Sequence, residues 1–253
     1  MAKACVFDTE TTSLNKPFCY DTGYTIFDTE DGHIDLERHF IIEQNWHNLP
    51  LFESAYYKEK RPLYVSLMRS KKAQMVKWGK MTQTLIRDLK QYGITDIYAY
   101  NSPFDDSVFS FNCDWFKTIN PLENIAVHDI RGYANQFITN TKDYKLFCEQ
   151  HKLFTETGNY SATAEAVYRY ITHDETFEEA HMGLYDSKIE AAILSYCLTE
   201  RGAELHKDYA IEKIIPRQTF TPFTIKINGK PIYQGEYTKK YNRNNVWNFT
   251  TGD

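Results

Sequence analysis

The sequence predicts an α/β protein built on a mixed β-sheet flanked by helices. Three observations lead there. A strand begins almost at the first residue in KACVFDT, a two-strand pattern with an Asp31-Gly32 turn follows it, and beyond residue 53 runs at helical spacing alternate with short β-rich runs. Strands gathered first, with helices interleaved afterwards, place helices on the faces of one sheet.

The elements follow in order. GYTIFDTEDGHIDLERHFIIE reads as two strands joined at Asp31-Gly32, a strong hairpin signal. Residues 53–92 change period: Leu67, Met68, Met75, Val76, Leu85, Ile86 and Leu89 fall near helical spacing, and Gly93 stops the run. ITDIYAYN is a short strand at 94–101. A helix starts directly after it, with Ser102 as N-cap, Pro103 in the first turn and Asp105 three residues after the cap. NIAVHDIR reads as a further strand, followed by helices over 130–151 and 161–171. DSKIEAAILSYCLTERG is the clearest helix: Ile189, Ala192, Ile193, Tyr196 and Cys197 form one stripe, Asp186 sits at its start and Gly202 ends it. Residues 1–210 thus read as one domain and 211–253 as a C-terminal extension. In that extension Asn228-Gly229 turns a hairpin, and Pro231 puts one arm at an edge.

Composition narrows the function. Of the 253 residues 42% are apolar, enough for a large core, and the formal charge of −5 excludes a protein held to nucleic acid by net charge. Five cysteines, Cys5, Cys19, Cys113, Cys148 and Cys197, are odd in number and contain no C-x-x-C pair. A disulfide framework or zinc knuckle is not expected, and a reducing compartment is. No apolar leader or membrane-length run occurs, so the expectation is a soluble cytoplasmic chain with no membrane partner. Serine hydrolase, P-loop and dinucleotide motifs are absent.

The chemistry lies in three acidic sites. Asp8 and Glu10 stand two apart on a strand and share one face. Like charges about 4 Å apart repel by about 4 kcal/mol at an effective dielectric near 20, so a positive partner is required. Asp105 opens a helix after a strand, and HMGLYD places His181 five residues before Asp186, again at a helix start. Taken singly, Asp105 and Asp186 read equally well as acids in a helix's first turn. Four carboxylates and a histidine converging at element ends instead call for hard divalent cations such as Mg²⁺ or Mn²⁺.

The motifs FDTETT, AYNSPFD and AHMGLYD, in that order, resemble the three exonuclease motifs of the DnaQ-like (DEDDh) 3′→5′ exonucleases of the RNase H-like superfamily. The resemblance covers roughly residues 1–200. It implies an RNase H-like fold and a metal-dependent 3′→5′ exonuclease acting on single-stranded DNA or RNA 3′ ends. Asp8, Glu10, Asp105 and Asp186 would hold two metal ions, His181 would be the general base, and Thr9, Thr11, Thr12, Asn101 and Phe104 would line the terminal-nucleotide subsite. Two ions about 3.5–4 Å apart suit an in-line phosphoryl displacement. Two other readings stand beside it: a catalytically weak nucleic-acid-binding subunit or adaptor, and a phosphodiesterase for short oligonucleotides.

Residues 53–80 carry Lys58, Lys60, Arg61, Arg69, Lys71, Lys72, Lys77 and Lys80 against Glu53 and Glu59, with Tyr56, Tyr57, Tyr64 and Trp78 interleaved. That mixture suits phosphate contacts and base stacking, or equally a solvated helix face. The extension is a candidate for docking a protein partner or for self-association.

Overall fold

The computed structural model describes residues 2–212, 220–227 and 230–238. Its main sheet runs β1 (Lys3–Thr11), β2 (Cys19–Asp28), β3 (Ile34–Ile42), β4 (Gln74–Val76), β5 (Asp96–Ala99) and β6 (Ala126–Asp129) in the spatial order β4-β3-β2-β1-β5-β6. β1, β2 and β3 pair antiparallel, whereas β5 and β6 continue the sheet parallel to β1 and β4 lies parallel to β3. The helices are α1 (Glu43–Trp46), α2 (Leu49–Phe52), α3 (Arg61–Arg69), α4 (Trp78–Tyr92), α5 (Ser102–Phe116), α6 (Ile130–Ala134), α7 (Lys142–His151), α8 (Ala164–Thr172) and α9 (Gly183–Arg201). A π-turn, Asn135–Thr139, separates α6 from α7 within what the sequence reads as a single helical stretch.

The apolar run in β1 is continuous because both faces of the sheet are covered. Ala4 and Val6 pack under Ile130 and Tyr133 of α6 and Ile193, Leu194 and Cys197 of α9. Cys5 and Phe7 point the other way, onto Trp78, Met81 and Leu85 of α4 and Val108 and Phe109 of α5. The Asp31-Gly32 connection joins β2 to β3 as expected, with Gly32 at φ +74°. All five cysteines are buried and free.

Three local expectations need correction. Residues 53–92 are not helical throughout: α3 ends at Arg69, and Met75 and Val76 belong to the edge strand β4, paired with Ile41 and Ile42. A three-residue strand contains too few residues to show a period of two, so its apolar pair is indistinguishable from helical spacing. Ser102 is the first helical residue rather than the N-cap; Asn101 occupies that position in the left-handed region, φ +63°. Tyr64 and Trp78 are fully buried, so they belong to the core and not to a stacking surface.

β7 (Phe220–Ile227) and β8 (Lys230–Thr238) form a separate antiparallel two-stranded sheet. Asn228-Gly229, the expected turn, lies outside the described residues. Pro231 falls in β8 opposite Lys226, beside a register shift.

The start of α9 sits directly on β2. A Cβ on Gly23 would lie 2.2 Å from the Leu184 backbone nitrogen, and one on Gly183 would lie 2.5 Å from the Gly23 nitrogen. Neither backbone can retreat, because Asp21 also binds the Gly183 N–H at 2.9 Å. Gly23→Ala and Gly183→Ala are each expected to destabilise by about 1–3 kcal/mol or more. Thermal unfolding should show a fall of about 2–4 °C per kcal/mol for a chain of this size.

Candidate active site

β1 delivers the first two acids. Asp8 and Glu10 lie near its carboxyl end and project toward α9, with a β-bulge between Glu10 and Thr11 turning the strand away beyond them. Bulges commonly re-aim side chains at the rims of sheets in this way. The parallel neighbour β5 ends beside them and feeds α5, so Asp105 arrives at that helix's first turn. α9 brings Asp186 in its own first turn. The acids therefore meet beyond the carboxyl ends of the parallel strands, the usual place for a ligand in such sheets.

Asp105 and Asp186 are each held by a specific contact. The Thr9 hydroxyl donates to Asp105 Oδ1 at 2.6 Å, tying β1 to α5. The Met182 N–H donates to Asp186 Oδ2 at 2.6 Å, while the Asp186 N–H returns a bond to the Met182 carbonyl at 3.0 Å. Asp186 thus does cap its helix, but with one oxygen only. Asp186 Oδ1 and Asp8 Oδ2 are buried without a hydrogen-bond partner, as is the Thr12 hydroxyl. Unpaired buried acceptors of this kind cost free energy unless something positive reaches them.

The electrostatics agree. Burial, then the charges of Asp105, Glu190, Asp186 and Glu10, push the Asp8 carboxyl well above its usual range. Glu10 is raised likewise by burial and by Asp21 and Asp186, with Lys60 opposing. Burial drives Asp105 up to about 7, against the hydrogen bond from Thr9, and drives Asp186 up to about 8 with help from Glu179. Glu10, His181 and Asp186 each offer a ligand atom, all within 4.8 Å of one another. An almost all-oxygen donor set with orphaned acceptors fits a hard divalent cation.

His181 is set beside the acids by its surroundings. Its backbone is left-handed, φ +46°, and its ring stacks on Tyr57 with centroids 4.4 Å apart and planes 11° from parallel. Burial and the nearby Lys60 charge hold its pKa below the usual value, with Glu165 opposing. Lys60 Nζ donates to the Ala180 carbonyl at 2.6 Å and lies 4.2 Å from the Tyr57 ring centre.

The other expected residues divide. Thr9 and Thr12 are buried at the site, Thr11 bonds the Ser13 carbonyl at 3.3 Å, and Phe104 packs partly into the α4–α5 core. Asn101 is exposed, and its N–H donates to Asp129 Oδ1 at 2.9 Å. From the basic segment, Tyr57 and Lys60 reach the site and Tyr56 is exposed beside Tyr57, whereas the Arg61 guanidinium covers the Trp46 and Phe52 rings.

Four site residues have no motif of their own. Glu190 lies one helical turn beyond Asp186, a spacing visible in the sequence as a charge breaking an apolar stripe, and it accepts the Tyr100 N–H at 3.1 Å. Burial and Asp105 raise its pKa well above normal. Asp21 lies opposite Glu10 in the β1–β2 register and binds Tyr64 and His39, each at 2.8 Å, as well as Gly183. Glu179 is pushed up to about 7 by burial and by Glu165, and Tyr57 was one aromatic among several.

No protein-family model and no curated protein matches the chain. Solved structures do. A full-length 3′-exonuclease is 13% identical over 92% of this chain and 96% of its own, with a TM-score of 0.54. A 3′-exonuclease that recognises the 3′ end of histone mRNA stem-loop is 12% identical over 78% of this chain and 64% of its own, TM-score 0.50. The exonuclease I of Methylocaldum szegediense is 15% identical over 78% of this chain, which spans 40% of that longer protein, TM-score 0.53. At these identities the likeness is one of architecture, and it bears out the fold implied by the motifs. The chain has the RNase H-like fold of the 3′-exonucleases and of exonuclease I.

Proposed function

We propose that the chain is a divalent-metal-dependent 3′→5′ exonuclease that shortens single-stranded DNA or RNA ends to nucleoside monophosphates. The observation that carries this reading is the convergence of Asp8, Glu10, Asp105 and Asp186, with Asp8 Oδ2 and Asp186 Oδ1 buried and unpartnered, beside His181. These four carboxylates would hold two Mg²⁺ or Mn²⁺ ions, which when bound stabilise the attacking and leaving oxygens of an in-line phosphoryl displacement.

The chain's own groups do the rest. His181 accepts the proton of the attacking water, and its lowered pKa keeps it unprotonated at neutral pH. The Tyr57 ring fixes the plane of the imidazole. Thr9 positions Asp105, and Thr9, Thr11, Thr12, Asn101 and Phe104 would line the terminal-nucleotide subsite. Tyr56 and Lys60 lie beside Tyr57 at this site and suit base stacking and phosphate contacts.

Lys60→Met removes the positive charge that lowers the His181 pKa, so the acidic limb of the kcat/KM profile is expected to move to higher pH. An unmoved limb would separate His181 from proton transfer. The activity itself is tested by comparing linear and covalently closed single strands of the same sequence. Mononucleotides from the linear strand alone support the proposal. Cutting of closed circles, or no product from either form, contradicts it.

A further inference from the structure

A second cluster lies away from the carboxylates, where the chain leaving α9 crosses the ends of β5 and β6. His128 Nε2 stands 3.3 Å from Asp96 Oδ1, and His206 Nδ1 stands 2.7 Å from Asp96 Oδ2. Ligand atoms of Asp96, His128 and His206 all lie within 4.8 Å of one another. The other nitrogen of His128, Nδ1, meets Asp208 Oδ1 at 2.7 Å. The His128 side chain is 7% exposed and Asp96 18%, while His206 is 47% exposed, so the cluster is half-covered and open on the His206 side.

From these contacts we propose that Asp96, His128 and His206 form a binding site for a borderline transition-metal ion, Zn²⁺ by its ligand chemistry, distinct from the carboxylate site. A neutral imidazole carries one proton. If His128 donates from Nδ1 to Asp208, its Nε2 lone pair faces the Asp96 carboxylate 3.3 Å away, an arrangement that a cation bound between them would satisfy. Tetrahedral coordination with bonds of about 2.0–2.1 Å places neighbouring ligand atoms about 3.3 Å apart, as His128 and Asp96 are. The 2.7 Å contact of His206 with Asp96 would open slightly to match.

Asp208 supplies the outer contact that metal-bound histidines usually have, a carboxylate fixing the tautomer and the ring orientation. Two imidazoles and one carboxylate favour zinc over magnesium or calcium, which prefer all-oxygen sites.

The ligands come from β5, β6 and the segment after α9. The ion therefore acts structurally, pinning residues 203–212 to the sheet edge. Tyr209 against Tyr133 and Phe137 helps to hold that segment, as does Asn135, which bonds both backbone groups of Glu212. The C-terminal region would then depart from a fixed point.

The test uses the full chain stripped with EDTA and titrated with Co²⁺ as a visible-absorbing probe, then with Zn²⁺ as competitor. Wild type should take up one more equivalent than His206→Gln, a substitution at a side chain that is 47% exposed and outside the core. That difference isolates this site from whatever the catalytic carboxylates bind. Asp208→Asn should keep the stoichiometry but bind about 10- to 100-fold more weakly. Zn²⁺ should also slow proteolysis within residues 203–212 of wild type and not of His206→Gln. Equal uptake by wild type and His206→Gln would overturn the proposal, whatever the nuclease assays show.

Discussion

Asp8→Ala is expected to abolish nucleic-acid degradation and leave the chain folded. Asp8 sits at the centre of the acidic group, with Asp105, Glu190, Asp186 and Glu10 all acting on it, and its Oδ2 is buried without a partner. An acid in that position contributes nothing favourable to the metal-free fold, so its loss relieves repulsion and the metal-free melting temperature should hold or rise. The catalytic loss should be large. If the metal site lowers the barrier by about 4 kcal/mol, its removal costs about 10³-fold in rate. Asp8→Asn keeps the volume and removes only the charge, so it should lose nearly as much. Retention of metal-dependent activity in both variants would take Asp8 out of the site. Parallel activity and melting assays separate this outcome from simple misfolding.

The second large effect is on stability. Asp105 and Asp186 are raised to about 7 and about 8, and Asp8, Glu10 and Glu190 are also raised, all with burial as the largest cause. The same groups titrate near their ordinary values in the unfolded chain. Between about pH 4 and pH 8 the folded, metal-free protein therefore binds more protons than the unfolded one, and its stability falls as pH rises. His181, with a lowered pKa, pulls the other way but is a single group. The metal-free protein is expected to melt at a higher temperature at pH 5 than at pH 8. A loss of about 2 kcal/mol across that range would appear as about 4–8 °C. Mg²⁺ or Mn²⁺ should restore the loss at pH 8 and do little at pH 5, because ligation needs the carboxylates deprotonated. Equal melting temperatures at the two pH values, or equal stabilisation by metal at both, would contradict this picture of the site.

The fold was legible because its signals are local. A strand covered on both faces reads as the apolar run ACVF, Asp31-Gly32 supplies a turn at φ +74°, and α9 shows its stripe and its Gly202 stop. β4 was not legible, since three residues become a strand only by pairing with β3. The four candidate acids stand in the sequence as motifs at element ends, the pattern of convergence being fixed by sheet order rather than by distance along the chain. Glu190, Asp21 and Glu179 carry no motif. Their nearness depends on the β1–β2 register and on how α9 seats on Gly23, which a sequence does not display. The basic run from 53 to 80 shows the same limit from the other side: its composition could not tell Tyr57, stacked on His181, from Tyr64, buried under Tyr20 and Trp46.

The most direct measurement is degradation of a 5′-labelled single strand, DNA and RNA in parallel, by the wild-type chain with Mg²⁺ or Mn²⁺ and with EDTA. The expected result is a ladder that shortens from the 3′ end with divalent cation and stops with EDTA, and the faster substrate names the preferred sugar. Immediate release of short labelled 5′ fragments, degradation that persists in EDTA, or intact strands from folded, metal-loaded protein would contradict it.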